Sequence, residues 1–250
     1  MASLQPITHY CNKRTRTHEI PDYPGAKNGL QIENNGTVTH IGAAVDASLQ
    51  VFESAVERGV DFLIVHHGPF WAPVSPLTGP RYRKFFHAMQ HNLAVYGSHL
   101  PLDAHPEIGN NVCLAQKLGL QPTGQFAPYE GVPIGWYCDA ELPRETLTER
   151  LHEQFPRTVA MMHGPQQLRR IGILTGSGGD ALTRLAADGI DTLITGECSQ
   201  HHFALSQELG VNLYTCGHYD TEVFAVQRLA AEVAEQFALP WSFIDSGCPL

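Results

Sequence analysis

Residues 60–67 read VDFLIVHH and residues 190–197 read IDTLITGE. The first opens with a short apolar, branched run of the kind that fills a buried strand. It follows residues 48–58 (SLQVFESAVER), which carry apolar side chains at helical spacing and stop at Gly59. At an offset of 130 residues the two stretches align Asp61 with Asp191, Leu63 with Leu193 and Ile64 with Ile194. The same offset matches IGAAV from Ile41 with IGILT from Ile171. Farther on, YGSHLPLD (96–103) resembles YTCGHYDTE (214–222) at a slightly shorter offset. In both copies a histidine precedes a carboxylate by four residues: His99 and Asp103, then His218 and Glu222. Either two α/β units resemble each other by chance, or two related halves face each other across a pseudo-two-fold axis. In the second case the His/carboxylate pairs share one cleft, where binding sites tend to lie.

The rest of the chain extends the alternation. Helical patterns cover 81–92, 107–118 (ending at Gly119), 143–155 (with proline at its start), 181–188 (stopped by Gly189), 200–209 and 221–237. Between them, 93–96, 132–138, 158–162, 171–174, 190–195, 211–216 and 241–244 read as strands. This is the α/β signature, with a parallel or mixed sheet covered on both faces. The expected division is a first lobe over 1–125 and a second over 126–250, or the two interleaved as one structural unit.

Composition excludes several classes. The chain has 250 residues, 43% hydrophobic and 16% charged, which fits a compact fold and not a disordered one. The net charge of −9 argues against binding nucleic acid through phosphates. No run approaches the eighteen or so apolar residues of a membrane span. The first residues lack the apolar core of a signal peptide, so the expected compartment is the cytoplasm. Cys11, Cys113, Cys138, Cys198, Cys216 and Cys248 are scattered without a C-x-x-C pair, against a disulfide framework or a zinc ribbon.

The 14 histidines are the unusual number, and they cluster. His66-His67 stand at the end of a strand, where open α/β sheets bind ligands. Gly68 and Pro69 are expected to break the pleat there, so that both imidazoles reach one site; the plain alternative is a polar loop. His99 and Asp103 follow a second strand end, with Asp103 readable also as the cap of the helix after it. His218 and Glu222 follow a third, with Glu222 readable also as a first-turn carboxylate favoured by the helix dipole. Two to four histidines with two carboxylates and no thiolate suit a dinuclear site for Zn, Fe, Mn or Ni. Such a site activates a bridging water for hydrolysis.

Other features carry weaker readings. Gly176-Ser177-Gly178-Gly179 can cradle a phosphate or form a tight structural turn, and it lacks the lysine and spacing of a P-loop. Glu197, His201 and His202 are either contacts in the same cleft or a polar loop. Cys198 and Cys216 lie near the proposed site without a dedicated base, which favours buried structural thiols. Phe70, Trp71 and Tyr82 either stack on a ring or belong to core and interface.

The elements DYPGAKNGLQIE, VDFLIVHHGPFW, VYGSHLPLDAHPEIGNN, IGILTGSGG, IDTLITGE and GHYDTE, in this order, resemble the Nif-three-like family over about residues 22–237. Its members are often labelled type-two homologues of GTP cyclohydrolase I. The resemblance implies two similar α/β lobes with mixed sheets and a dinuclear metal site in the cleft between them. It implies His66, His67, Asp103, His218 and Glu222 as ligands to two divalent ions, with Glu222 bridging. His99 matches a family histidine that is an extra ligand or a base standing behind the ligands, so His99 and Glu222 are the expected catalytic residues. A toroidal homohexamer, a trimer of dimers, is the implied assembly. The N-terminal residues CNKRTRTHEIPDYPGA are more polar than the family's apolar first helix.

The expected function is metal-dependent hydrolysis, of GTP as the family label suggests or of a modified nucleotide. Metal delivery without turnover and a metal-tied hexameric scaffold are the rival readings.

Overall fold

The structure, a computed structural model, describes residues 1–71 and 75–250. Its contacts fall into two units, Met1–Leu102 with Ala225–Cys248, and Asp103–Phe224 with Pro249–Leu250.

The chain begins with β1 (Ala2–Ser3), α1 (Leu4–Thr15), β2 (Gly29–Ile32), β3 (Thr37–Val38) and β4 (Ile41–Asp46). Then come α2 (Leu49–Glu57), β5 (Phe62–His67), α3 (Gly79–Gln90), β6 (Ala94–Gly97) and the single turn α4 (Leu100–Asp103). After these follow α5 (Asn110–Lys117), β7 (Gly124–Tyr129), β8 (Val132–Pro143), α6 (Arg144–Gln154), β9 (Val159–Met162) and β10 (Gln167–Leu174). A 3-10 helix (Gly179–Asp188), β11 (Thr192–Thr195), α7 (His201–Leu209), β12 (Asn212–Thr215), α8 (His218–Phe237) and β13 (Trp241–Phe243) complete the chain.

The first unit is built on a sheet of order β13-β4-β5-β6-β2, parallel except for β2. Its core gathers Val51, Phe52 and Ala55 of α2, Phe85 and Ala88 of α3, and Leu63, Val65 and Val95 of the sheet. The amphipathic face of α2 explains why it packs there, and Ser48 caps it by accepting from the Val51 amide at 3.1 Å. The second unit carries the order β7-β8-β10-β11-β12-β9, in which β10, β11 and β12 are parallel and their neighbours antiparallel. Leu147 and Leu151 of α6 and Leu114 of α5 pack with Ile171, Ile173, Ile194 and Tyr214 in its core.

The 130-residue echo is a repeat of register. Ile41 pairs with Phe62 and Gly42 with Leu63 in the first sheet; Ile171 pairs with Thr192 and Gly172 with Leu193 in the second. A Cβ on Gly42 would lie 2.6 Å from Val60 Cγ1, and one on Gly172 would lie 3.2 Å from Ile190 Cγ2, so both glycines give way to the equivalent branched residue. The aspartates repeat as well. Asp61 accepts from the amides of Thr39 and His40, and Asp191 from those of Arg169 and Arg170. Asp61 thereby ties the approach to β4, and Asp191 the first half of β10, to the start of the next parallel strand.

Several segments differ from the sequence reading, which places no strand at β2 or β7 and starts α5 at 107 rather than Asn110. Residues 181–188 lie in a 3-10 helix. The last long helix begins at His218, three residues before the expected start. The polar N-terminal stretch forms α1, which buries Leu4, Ile7, Thr8, Cys11 and Thr15 on one face. Tyr96 Oη donates to Asn12 Oδ1 at 3.0 Å and shares a hydrogen bond with Thr17 Oγ1, just beyond the helix, at 2.9 Å. No helix among the described residues is long and apolar enough to cross a membrane.

Replacing Asp61 with alanine strands backbone donors at the β4–β5 junction. The expected loss is about 1–3 kcal/mol, the value of charge-assisted hydrogen bonds to amides. Chemical denaturation of Asp61→Ala against wild type measures it, and an unchanged midpoint would show that the aspartate does not hold the junction.

Candidate metal centre

In each unit, parallel strands end at a common level and hand their next residues to one place, the position where α/β sheets bind ligands. In the first unit the ends of β4, β5 and β6 supply Asp46, His66-His67 and His99. Pairing of β5 with β6 ends at Val65, whereas pairing with β4 continues to His67 opposite Asp46. The pleat therefore survives on one side through both histidines. His66 is fully buried and His67 half-buried, with ring centroids 4.9 Å apart. His99 lies 4.9 Å from His66 and 5.7 Å from His67, and a ring nitrogen of each falls within 4.8 Å of the others.

The tautomers follow from the partners. His66 Nδ1 donates to the Ser98 carbonyl at 3.0 Å. His67 Nδ1 donates to Asp46 Oδ1 and His99 Nδ1 to Asp22 Oδ1, both at 2.8 Å. A carbonyl or carboxylate only accepts, so Nδ1 carries the proton in all three rings and Nε2 carries the lone pair. An oxygen behind Nδ1 is the usual outer support of a metal-ligating histidine. Burial pushes the Asp22 carboxyl up. Hydrogen bonds from His99, Asn28 and the Tyr23 amide outweigh it and hold the group below its ordinary value.

His105 and His202 show the opposite arrangement. His105 Nδ1 accepts from the amides of Glu107 and Ile108. His202 Nδ1 accepts from the Ser199 amide, and its Nε2 donates to Asp180 Oδ1 at 3.1 Å. Asp180, His201 and His202 come close enough to suggest a cation site. Both nitrogens of His202 are committed to that network, and this reads as a structural loop. His105 also takes the backbone role that the sequence allowed for Asp103. Asp103 Oδ1 instead accepts from Asn110 Nδ2 at 2.8 Å, in a buried setting.

In the second unit the ends of β10, β11 and β12 supply the glycine loop, Gly196-Glu197 and His218. Carboxylate oxygens of Asp103 and Glu222 come within 4.8 Å of each other. His218 Nε2 meets Glu222 Oε2 at 3.2 Å, and its Nδ1 meets Glu197 Oε1 at 3.0 Å. The hydrogen bond to Glu222 raises His218 to about 9, opposed by burial and helped by Glu197. A divalent ion at Glu222 would replace the proton that this ring holds. The donors are all imidazole and carboxylate, a set that fits divalent transition metals.

The glycine loop backs this pair. Gly176 has φ +65°, and a Cβ there would lie 2.3 Å from Glu222 Oε1. The Gly176 amide donates to Thr221 Oγ1 and the Gly178 amide to Thr195 Oγ1. Those amides are spent inside the fold, which favours the structural turn over a phosphate cradle. Of the thiols, Cys216 is buried and pushed up to about 12 by burial, and Cys198 is raised by burial and by Glu197, as structural cysteines are. Phe70 packs on Phe85 at 5.0 Å, a core role. Sequence reasoning misses Asp22 and Asp46 as site residues. Their only sequence signals are the DYPG turn and a carboxylate closing the apolar strand IGAAVD.

A sequence profile for Duf34/NIF3 (NGG1p interacting factor 3) matches residues 3–249. The chain belongs to the Duf34/NIF3 family. A Deinococcus radiodurans protein named GTP cyclohydrolase 1 type 2 homolog is 41% identical over 232 residues, covering 90% of this chain and 88% of that protein. An Archaeoglobus fulgidus protein of the same name is 35% identical over 228 residues, covering 91% and 92%. The solved structure of protein ybgI, described as of unknown function, superposes with a TM-score of 0.92 at 32% identity over the whole of both chains. TTHA1606 from Thermus thermophilus does so at 0.89 and 35%, again over both whole chains. The mixed α/β fold of the NIF3 family, expected from the motifs, is the fold found.

Gly176→Ala forces Glu222 to move and adds left-handed strain of about 1–2 kcal/mol. Gly210, with φ +64° and nothing within 4 Å of where a Cβ would stand, is the control. Urea denaturation should show the Gly176 variant losing clearly more stability than Gly210→Ala. Equal losses would mean that Glu222 is not held against the loop.

Proposed function

We propose that the chain is a metal-dependent hydrolase of the NIF3 family. His66, His67, Asp103, His218 and Glu222 hold two divalent ions, drawn from Zn, Fe, Mn or Ni, with Glu222 as the bridge. One observation carries the reading: all three rings of the His66–His67–His99 cluster have Nδ1 fixed by an oxygen acceptor, leaving their Nε2 lone pairs to the cluster. Two bound ions would supply an activated bridging water. His99, backed by buried Asp22, is set up to accept a proton at Nε2, as a general base or an additional ligand. The name borne by the relatives suggests a nucleotide as substrate.

Metal content by mass spectrometry, on protein purified without a histidine tag, tests this. Wild type should hold about two ions per chain. Asp103→Ala and Glu222→Ala should lose them while circular dichroism stays native. No metal in wild type after exposure to Zn, Mn or Fe(II) would overturn the proposal. Loaded protein that turns over no nucleotide would leave metal delivery or a metal-tied scaffold as the function.

We propose also that the chain assembles with itself into a ring hexamer, a trimer of dimers. Such an assembly needs two different contact surfaces. The first unit exposes Tyr82, Phe86 and Met89 along one stripe of α3, with Tyr82 and Phe86 stacked at 5.6 Å. The second unit exposes Val159 and Met162 on the edge strand β9, and Phe203 on α7. Exposed apolar patches of this kind commonly mark interfaces. Light scattering should give six times the 27.5 kDa chain mass for wild type and a smaller species for Phe86→Asp. A wild-type monomer would overturn the assembly.

A further inference from the structure

A cavity of about 430 Å³ opens in the first unit beside the histidine cluster. Its walls include Ser48 and Leu49 at the first turn of α2, Trp71 just beyond His66-His67, and Arg81 and Lys84 on α3. Only 16 of the 250 residues are basic and the chain carries −9, yet two basic groups line this one hollow and, among the described residues, no carboxylate does. Lys84 Nζ donates to the Ala47 carbonyl at 2.9 Å, and an ammonium has three protons to give. Arg81 lies over the rings of Phe70 and Phe85, at 5.9 and 5.5 Å, and donates through Nη1 to Ser75. That leaves the remaining edge of a five-donor guanidinium for a ligand. The positive end of α2 adds to the same field. Burial and the neighbouring Arg81 both push Lys84 below its ordinary value, the mark of cationic groups that lack a counter-ion.

Trp71 joins this cavity to the proposed metal centre. It is 42% exposed, and its ring meets His99 edge-on at 5.0 Å and His67 at 6.2 Å. An exposed indole held in place by two imidazoles offers a fixed apolar surface for a flat ring.

We propose that this cavity seats the phosphate of a nucleoside monophosphate, on Arg81 and Lys84, with the base against Trp71. Charge counting selects the monophosphate. A phosphate monoester carries about −1.5 to −2 near neutral pH, which two cations balance. A triphosphate would bring further negative charge to an acidic chain with no third basic side chain among the described residues of the lining. The proposal names a substrate class for the hydrolase reading and rests on that reading for the chemistry alone; binding in the cavity stands apart from it.

The test is calorimetric titration of the purified protein, without added Mg²⁺, with GMP, GTP, guanosine and inorganic phosphate, and with metal content recorded for each preparation. GMP should bind more tightly than the other three. Arg81→Met and Lys84→Met should each weaken GMP by roughly tenfold or more, the value of a charge-assisted hydrogen bond, with metal content unchanged. Trp71→Ala should weaken GMP and leave inorganic phosphate alone. GTP binding as tightly as GMP, or GMP binding unchanged in both cation variants, would overturn the proposal. Loss of the metal reading would appear as absent metal with GMP binding intact, so the two failures are distinct.

Discussion

The register of three parallel strands in each unit is the constraint on which everything else depends. β4, β5 and β6 start together at Ile41, Phe62 and Ala94, and β6 stops at Gly97, opposite Val65, while β4 and β5 run on to Asp46 and His67, so their last residues and His99 meet at one end of the sheet. β10 starts ahead of its parallel neighbours, at Gln167, but β10, β11 and β12 end level at Leu174, Thr195 and Thr215. Side chains alternate along a strand, so a slip of one residue would turn His66 and His67 to the wrong faces. Asp61 and Asp191 guard against that slip. Asp61 ties the two backbone amides just before β4, and Asp191 two amides within β10, to the start of the next strand.

Local motifs made much of this legible in the sequence. The 130-residue echo foretold matched registers, and the histidine and carboxylate motifs each appear at a strand end. What stayed hidden was non-local. Asp22 reaches His99 from 77 positions away, and no pattern in DYPG announces that hydrogen bond. Ser98 contributes a backbone carbonyl, for which side-chain identity is silent. Helix α1 escaped notice because its buried face mixes leucine and isoleucine with threonine. Thr15 answers its own helix, donating to the Cys11 carbonyl, and only Asn12 needs Tyr96 of β6 as a partner. The 3-10 stretch from Gly179 has a helical apolar pattern, and periodicity does not separate the two helix types.

Histidine abundance by itself says little; the direction of the hydrogen bond at Nδ1 says more. Where Nδ1 accepts from a backbone amide, as in His105 and His202, the ring is serving the fold. In His66, His67 and His99 Nδ1 donates to an oxygen and the three rings also converge, whereas His91, whose Nδ1 donates to the His87 carbonyl, shows that direction counts only together with convergence. The distinction rests on partners, so the residue count in the sequence could raise the question without answering it.

Set side by side at the 130-residue offset, the two stretches also divide their labour. Asp46 corresponds to Gly176, His66 to Gly196, and His67 to Glu197. The first copy keeps bulky donors on its own strand ends. The second has surrendered side chains at two of those three positions. A Cβ at Gly176 would strike Glu222, and one at Gly196 would come 2.8 Å from His218 Cα. The vacated volume is what admits the opening turn of α8, so the second copy borrows its donors from a helix where the first grows them on strands. The two copies thus differ in kind, one supplying mostly imidazole nitrogen and the other mostly carboxylate oxygen.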